Sequence, residues 1–506
     1  MGLQGALFTA TDGLRLVSQQ AAVVSRNVSN AGTPDYTVKR VTIEALAEGG
    51  VRIGETTREI DVSLRAEARI VRGQAAHAEV RERALTPLVA LNGSPGSADS
   101  VSDLVTAVRD GLTALRARPS DLSDQRAALR AAGDLSTRLN ELAAAVGRAR
   151  QAAQDELVRR VDEANRLTQQ ISRLDGEAKA TRAGGSSDSY TLDRRDAAIQ
   201  QLSELLDVTP ILGTRDQVTL ILRGGYTLPL KPDGAPFSIG SAPVTPETYY
   251  GPPGGTLPAL MLGEIDITGL TRNGRMGALL DLRDSALPQM QAELDVLAST
   301  LATRFDAQGL RLYTDGVGST AAPPDVTAGT GYSGAVVGFA GRIAVSSAVS
   351  SEPRLLRDGT HPAPATGFVP NPSGGPSGFT TLLDNLLNYG FGTASGPGGM
   401  AHPAPPTNNL GPGRNLVSSF NPPTRLTDHA AAMTGSHAVA ASEATSRLTE
   451  ASASRTRIDL LLQQREGVDV DQEMAGLLQL QNAYAANARV LATVQEMWDA
   501  LLRAAR

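Results

Sequence analysis

The residues best suited to chemistry in this sequence are its histidines, of which there are five. His429 and His437 are the closest pair, and at a separation of eight residues they can share one face of a helix. Two imidazoles alone do not complete a metal site, and neither a cysteine nor a cluster of carboxylates accompanies them. We therefore expect no bound metal and expect both histidines to be solvated surface residues.

A second candidate for chemistry is the charged run Asp193-Arg194-Arg195-Asp196. A carboxylate that acts as a general acid or base needs a pocket and a catalytic partner, and the sequence displays neither nearby. The apolar residues that follow, from Ile199 to Leu206, recur at helical spacing. The run is therefore interpreted as the acidic start of a helix whose ion pairs orient neighbouring helices.

Composition and motifs exclude other classes of chemistry. The chain has no cysteine, which excludes disulfides and thiolate catalysis. It contains neither a phosphate-binding glycine loop nor a Gly-x-Ser-x-Gly nucleophile motif. Its 47 basic and 53 acidic residues give a net charge of −6 without basic runs, so nucleic acid is not an expected partner. We expect no enzymatic activity and no cofactor.

The sequence also bears on where the protein resides. No uninterrupted apolar run reaches the 18 residues that predict a membrane-spanning helix. No Lys or Arg precedes Arg15, whereas a secretory signal peptide begins with basic residues. The sequence thus predicts a protein that is cytoplasmic or exported without a cleaved signal.

The two ends of the chain carry the strongest structural pattern. In both, apolar residues recur at alternating steps of four and three, which is the heptad spacing of helices that pair in coiled coils. The N-terminal seam comprises Leu3, Leu7, Ala10, Leu14, Val17, Ala21, Val24 and Val28. The C-terminal seam comprises Leu477, Leu480, Tyr484, Asn487, Leu491, Val494, Trp498 and Leu501. Because an exposed apolar stripe needs a partner to cover it, we expect the seams to pair with each other and with neighbouring copies of the chain.

Helical spacing also marks the interior of the chain. It predicts one long helix, or two in line with Gly147 as the weak point, over residues 132 to 174. A second helix is predicted over residues 287 to 305, with Pro288 in its first turn or at a kink. Alternating apolar residues on either side of Gly224-Gly225 predict a β-hairpin.

Residues 353 to 423 form the least regular part of the sequence and hold 13 of the 29 prolines. They are predicted to be loop-rich and to face the surface, apart from a helix-like piece from Phe379 to Tyr389.

These elements together predict a mainly α fold with a smaller β-rich inserted part. The helices are expected to form a long bundle in which the N- and C-terminal helices pair as a coiled coil. The predicted domains are a terminal coiled-coil domain (residues 1–34 with 468–506), an elongated helical domain (35–212 with 274–467, including the loop-rich Pro/Gly segment 353–425) and an inserted β-leaning lobe (213–273).

The turn after the N-terminal seam resembles a segment of the flagellar axial family, which comprises rod, hook and filament proteins. The family turn motif falls on Asn27, Asn30, Gly32, Pro34 and Tyr36. Asp35 stands where the family has glycine. Aspartate tolerates the left-handed backbone conformation better than most residues, so we expect the turn to form.

The C-terminal part of the chain resembles the same family. Residues Gly467 to Glu473 are similar to its Gly-Val-Asn-Leu-Asp-Glu-Glu element, and Leu480 to Val490 to its Tyr-x-Ala-Asn-Ala helix. Further segments resemble the hook-associated members of the family in particular: Leu192–Asp196, Leu202–Leu205, Val218–Leu222, Gly277–Asp284, Ile343–Val345 and Glu352–Leu356. The order of these segments along the chain is more specific than any one of them.

The resemblance implies a structural subunit that joins hook to filament and assembles through its terminal helices. It implies export through the flagellar type III apparatus and a final place outside the cell, at the hook–filament junction. The implied partners are further copies of the chain in a ring or helical assembly, the hook protein, a filament-side junction protein and a cytoplasmic export chaperone that holds the C-terminal helix.

Two alternative functions remain open on sequence alone. The chain resembles the axial family widely enough to be a hook, rod or filament-side junction subunit instead. A secreted enzyme carried on an axial scaffold would need a pocket of paired carboxylates or histidines. Only residues 357 to 425 leave room for one, and their notable polar groups are His361, Asp384 and His402.

Overall fold

The computed structural model describes residues 3–33, 35–45, 51–93, 99–183, 188–213, 217–328 and 331–504. The α-helices of these residues are α1 (Leu3–Asn30), α2 (Val62–Asn92), α3 (Val101–Ala117), α4 (Leu122–Ala183), α5 (Ser189–Leu205), α6 (Gly274–Asp281), α7 (Leu287–Ala307), α8 (Ser347–Ser351), α9 (Leu355–Asp358), α10 (Thr381–Asn385), α11 (Leu426–Glu466) and α12 (Val470–Ala504). None of these helices is both long and apolar enough to cross a membrane.

The β-structure is small by comparison. The strands are β1 (Lys39–Ala45), β2 (Val51–Arg58), β3 (Val208–Leu212), β4 (Val218–Leu222), β5 (Thr227–Leu228), β6 (Phe237–Ser238), β7 (Met261–Leu262), β8 (Ile265–Asp266), β9 (Tyr313–Asp315) and β10 (Ile343–Val345). Strands β1 and β2 form an antiparallel hairpin, and β3, β4 and β5 form an antiparallel sheet in that order. The prediction of a mainly α fold with a smaller β part is confirmed.

The chain divides into two compact units. The first, called the terminal unit below, comprises Met1–Ala76, Asp162–Phe237 and Glu450–Arg506. The second, called the middle unit, comprises His77–Val161 and Ser238–Thr449. The three domains with boundaries at residues 34, 212, 273 and 467 stay a prediction.

The two ends of the chain pack against each other in the terminal unit. Helices α1 and α12 run antiparallel, since Gly13 lies against Asn487 while Asn27, nearer the end of α1, bonds to Glu473 at the start of α12. The predicted pairing of the N- and C-terminal helices is thereby confirmed. It arises because each helix has an apolar stripe that its own local sequence cannot cover.

The interior helices follow the predicted periodicity. Helix α4 continues through Gly147 without a break, and its predicted apolar residues, such as Leu135, Leu139 and Leu157, are fully buried. Helix α7 has Pro288 in its first turn, but it follows α6 directly through the π-helical segment Leu282–Ala286. The proline therefore removes one backbone donor from a continuous helical run. The predicted hairpin forms from β4 and β5, with left-handed glycines at the turn.

The proline-rich segment is irregular, as expected, but it does not simply face the surface. The helix-like piece forms α10 and a short π-helical segment, Leu386–Gly390. Phe368, Leu382 and Leu410 are at most 2% exposed, and Leu410 belongs to an apolar cluster with Val296 of α7. The expectation of a surface-facing elaboration is wrong for these side chains, because their burial completes the core of the middle unit.

The expectation that His429 and His437 are solvated is also wrong. His437 Nε2 lies 2.8 Å from Glu293 Oε2 on α7, inside the middle unit, and Glu293 also accepts hydrogen bonds from Ser419. His429 is 1% exposed and packs beside the ring of Phe420. Burial lowers the pKa of His429 to about 3, so the imidazole is neutral. Both histidines lie near the start of α11, on faces that pack against other segments of the middle unit. Their side chains are therefore part of its core.

Candidate assembly site

The last turn of α1 places a buried side chain where the two ends of the chain meet. Asn27 is fully buried, and its Nδ2 donates to Glu473 Oε2 of α12 and to the Lys39 carbonyl, both at 3.0 Å. Its Oδ1 accepts from the Tyr36 hydroxyl at 3.1 Å and from the Lys39 N–H at 3.2 Å. The amide therefore uses its full hydrogen-bonding capacity to fix α12 to α1 and to the chain after α1.

The other residues of the predicted turn motif have lesser contacts. Asn30 is half-buried and donates to the Arg26 carbonyl, while Gly32 is exposed. Pro34 lies outside the described residues. Asp35 has a φ of +58°, which confirms that aspartate adopts the left-handed conformation expected where the family has glycine.

The charged run Asp193–Asp196 lies in the second turn of α5 and not at its start, which Asp188 caps, so its interpretation as the acidic start of a helix is wrong. The run nevertheless joins several elements of the terminal unit. Asp193 accepts hydrogen bonds from Thr37 Oγ1 at 2.8 Å, from Lys39 Nζ at 2.5 Å and from Arg58 Nη1 at 3.0 Å. Arg58 also pairs with Asp196 at 2.8 Å. The run thus holds the β1–β2 hairpin against α5, in agreement with the structural interpretation of its charges.

Lys39 is the most unusual member of this group, because its ammonium is fully buried. It lies 3.5 Å from the centre of the Tyr36 ring and 4.6 Å from that of Tyr190. Burial lowers the pKa of Lys39, although the hydrogen bond to Asp193 opposes the shift. The two aromatic faces and the carboxylate together offset the cost of removing the charge from water.

The junction between α11 and α12 is tied to the same region. Arg65 of α2 pairs with Glu466 at 2.6 Å and with Asp196 at 2.9 Å. Burial opposes the charge of Arg65, but its hydrogen bond to Glu466 and the nearby carboxylates outweigh this and raise its pKa. The Val38 N–H also donates to the Glu466 carbonyl at 2.7 Å. We call Asn27, Lys39, Arg58, Arg65, Asp193, Asp196, Glu466 and Glu473 together the polar hub.

The link between α11 and α12, residues 467–469, contains residues that favour a break between two helices. A Cβ at Gly467 would collide with the Gln463 carbonyl, so only glycine fits there. Asp469 then accepts from the N–H groups of Asp471 and Gln472 and caps the start of α12. Sequence reasoning found this motif by resemblance but missed Lys39, Arg58 and Arg65, because nothing in their local sequence shows that they meet carboxylates from distant segments.

The predicted seam residues are covered to different degrees. Val17 and Val494 are buried, and the Gly13 backbone leaves room for the Asn487 side chain, whose Oδ1 would be 3.0 Å from a Cβ at residue 13. The half-buried members are Leu7, Leu14, Val24, Val28, Leu477, Leu480, Asn487 and Leu491. Tyr484, Trp498 and Leu501 are exposed, and the side chain of Leu3 lies outside the described residues.

Helix α12 therefore keeps a large apolar surface in contact with solvent. Large apolar side chains with an exposed fraction between 41% and 59% run along its whole length: Val470, Met474, Leu478, Tyr484, Val490, Met497, Trp498, Leu501 and Leu502. We call these nine side chains the exposed surface of α12. Soluble monomers seldom leave such a surface uncovered, so it is a candidate interaction site.

The residues that were candidates for chemistry have structural surroundings. In the part of the chain that the structure describes, no group of three or more His, Asp or Glu residues is placed to hold a metal ion. His361 and His402 of the loop-rich segment bond to the carbonyls of Asp306 and Tyr389, which are structural contacts.

Comparison with known proteins identifies the family. Residues 93–318 match the model of the helical domain of flagellar hook-associated protein FlgK. Residues 464–504 match the model of the C-terminal part of the flagellar basal body rod proteins FlgEFG. Together the two segments make up more than half of the chain, and they occur in the order expected from the sequence. No curated protein sequence matches the chain.

Among solved structures, the flagellar hook junction protein FlgK from Burkholderia pseudomallei is similar, with 23% sequence identity and a TM-score of 0.40. The aligned part spans 49% of the present chain and 44% of that protein. The family assignment rests on the two sequence models, whose matched segments include α5, the α11–α12 link and all of α12. The chain belongs to the flagellar axial family and contains the helical domain of its hook-associated protein FlgK.

Proposed function

We propose that the chain is a structural subunit of the bacterial flagellum that joins hook to filament. The observation that carries the proposal is the exposed surface of α12, which belongs to a helix held in place by α1 and the polar hub. Its exposed apolar side chains are suited to packing against helices of neighbouring subunits.

Burial of this surface would contribute substantially to assembly. Full burial of a large apolar side chain is worth roughly 1.5 to 3 kcal/mol. Covering the remaining half of nine such side chains would contribute on the order of 10 kcal/mol per subunit, which is comparable with the cost of association. Contacts from both sides of each subunit would then stabilise a ring or a helical array.

The proposed partners follow from this role. They are further copies of the chain, the hook protein on one side and a filament-side junction protein on the other. An export chaperone that covers the C-terminal helix would keep the exposed surface of α12 from aggregating before export. The proposed route is the flagellar export apparatus, and the proposed role is mechanical and not enzymatic.

Electron microscopy of cells that lack the chain tests the function directly. The expected result is hooks without filaments, together with filament protein released into the medium. Cells that still carried filaments of normal number and length would contradict the proposal.

A substitution in α12 tests whether its exposed surface is required for this function. We expect Leu501→Asp to leave the stability of the monomer unchanged, because Leu501 is 57% exposed, and to abolish joining when the purified protein is added to isolated hooks. Gln495→Asp, an exposed polar position of the same helix, is the control. Addition from outside bypasses export, so a defect would report on assembly alone.

A further inference from the structure

Three arginines of α2 face one cavity in the terminal unit. Arg65, Arg69 and Arg72 are spaced by four and three residues, which places them on the same face of the helix. The cavity has a volume of about 560 Å³, and its walls also come from the turn after α1, from α5 and from the end of α11.

The two outer arginines are fully engaged by carboxylates of the chain. Arg65 pairs with Asp196 and Glu466, as described above, and Arg72 pairs with Asp459 at 2.7 Å and with Asp35 at 3.3 Å. Arg455, on the opposite wall, lies within 3.8 Å of Glu204 and Asp459. The acidic side chains that line the cavity are therefore already paired with other arginines.

Arg69 lies between Arg65 and Arg72 along α2 and, among the described residues, forms no ion pair of its own. Among the described residues it makes neither a hydrogen bond nor an ion pair, although its side chain is half-buried. Burial lowers its pKa, while the charge of Asp196 acts in the opposite direction. A guanidinium carries five N–H donors in a planar fork that matches a carboxylate, so an unpaired one inside a cavity lacks its natural complement.

The remaining walls of the cavity suit a short piece of polypeptide. Gln201 and Gln463 line the cavity with amides that can donate to or accept from a backbone, and Thr33 adds a hydroxyl. A single small anion would occupy only a minor part of 560 Å³, whereas a loop of a few residues would fill much of it. The cavity also borders Glu466 and Gly467, at the link that leads into α12.

We propose that Arg69 binds an aspartate or glutamate side chain on a loop of a neighbouring subunit, which enters this cavity on assembly. This inference rests on the proposed function, since it requires a neighbouring subunit at the terminal unit. It adds a polar, orientation-dependent contact to the apolar exposed surface of α12. Such a contact would select the correct neighbour, because a loop without an acidic residue would leave the guanidinium unpaired.

Charge substitution at Arg69 tests the proposal. Purified variants would be added to isolated hooks, and attached filaments would be counted after filament protein is supplied. We expect Arg69→Glu to reduce attachment at least about tenfold, through repulsion of the incoming carboxylate, and Arg69→Lys to have an intermediate effect because it keeps the charge but loses the fork. Arg457→Glu, an exposed arginine of the same unit, makes the same change of charge and should attach normally. Circular dichroism melting must show that all three variants fold as the parent protein does.

A photo-crosslinking amino acid at Gln201, on the cavity wall, identifies the occupant in assembled flagella. The expected product is a peptide of a neighbouring subunit with Asp or Glu within a few residues of the crosslink. A crosslinked peptide without an acidic residue, or normal attachment by Arg69→Glu, would overturn the proposal. So would a rise in melting temperature with inorganic phosphate that Arg69→Glu abolishes while attachment stays normal, because the site would then bind a free anion.

The failure of this inference is distinguishable from failure of the proposed function. If Arg69→Glu joins hook to filament normally while Leu501→Asp does not, only the acidic-loop proposal is wrong. If cells lacking the chain make normal filaments, the function itself is wrong.

Discussion

At the scale of single residues, the polar hub places charged and amide groups where apolar side chains usually lie. Asn27, Lys39 and Asp193 are all buried, and each is compensated by specific partners from distant parts of the sequence. Buried polar groups of this kind contribute little net stability but penalise any arrangement in which a partner is missing. The hub therefore specifies one way of joining the two ends of the chain.

Replacing Asn27 by alanine should destabilise the terminal unit by about 2 to 4 kcal/mol, because Glu473 and the backbone of Lys39 would lose partners inside the protein. The fluorescence of Trp498, the single tryptophan, reports this unit during denaturant unfolding. Asn30→Ala is the matched control, since Asn30 bonds only locally and should change stability by less than about 1 kcal/mol. Equal effects of the two substitutions would argue against a special role for Asn27.

His429 should make the middle unit sensitive to acid. Its pKa is about 3 when folded and lies near the ordinary histidine value of 6.5 when unfolded, so between these values the unfolded state binds more protons. The contribution of His429 to the free energy of unfolding is therefore fully present above pH 6.5. It decreases as the pH falls toward 3, by at most about 1.4 kcal/mol per pH unit.

The variant His429→Phe isolates this effect, because phenylalanine fills a similar space beside Phe420 without titrating. The free energy of unfolding of the variant relative to the parent should rise as the pH falls below 6.5 and stay constant above pH 7. A difference that does not change with pH would show that His429 is not protonated on unfolding.

At the scale of elements, the α1–α12 pair combines an apolar seam with one site where a side chain of α12 packs directly against the backbone of α1. Gly13 lets the Asn487 side chain sit against the α1 backbone, and the Asn27–Glu473 hydrogen bond lies farther along the same antiparallel pair. A lone asparagine in an apolar seam can fix register at some cost in stability. Gly13 and Asn487 thereby set the alignment of α1 with α12.

Gly13→Val should loosen the pair by about 1 to 3 kcal/mol, because the added side chain overlaps Asn487. Hydrogen exchange of backbone amides near residues 10–17 and 484–491 should accelerate in the variant. Gly5→Val is the control on the same helix, since a Cβ at Gly5 meets open space. Equal exchange in both variants would mean that helix propensity, and not packing, explains the effect.

At the scale of the whole molecule, the two units differ in how their helices are stabilised. In α12 only Glu473 and Val494 are buried, whereas most residues of α7 in the middle unit are buried. Local stability follows such differences in apolar contact. The helix proposed for assembly is thus among the least covered in the free chain.

We therefore expect the end of α12 to open before the middle unit unfolds. During denaturant titration of the monomer, the anisotropy of Trp498 fluorescence should fall at a lower denaturant concentration than the circular dichroism at 222 nm. Wild-type protein incorporated into flagella should lose this early phase, because neighbouring helices cover α12. Coincident transitions in the monomer would contradict the expectation.

The sequence by itself determined the features that depend on neighbouring residues. Heptad spacing defined α1 and α12, and apolar periodicity defined α4 and α7, because side-chain spacing acts over a few residues. The turn motif after α1 and the short motifs in the C-terminal part also resembled the axial family and so indicated it.

The tertiary structure alone decided which of these groups meet. It joined Asn27 to Glu473 and Lys39 to Asp193, left Arg69 unpaired, and placed His429 and His437 inside the core. The heptad seams indicated that the two ends of the chain pair, but the burial and partners of a polar side chain depend on how distant segments meet in detail, which no local pattern encodes. For the same reason the proline-rich segment could be predicted as irregular but not as part of the core.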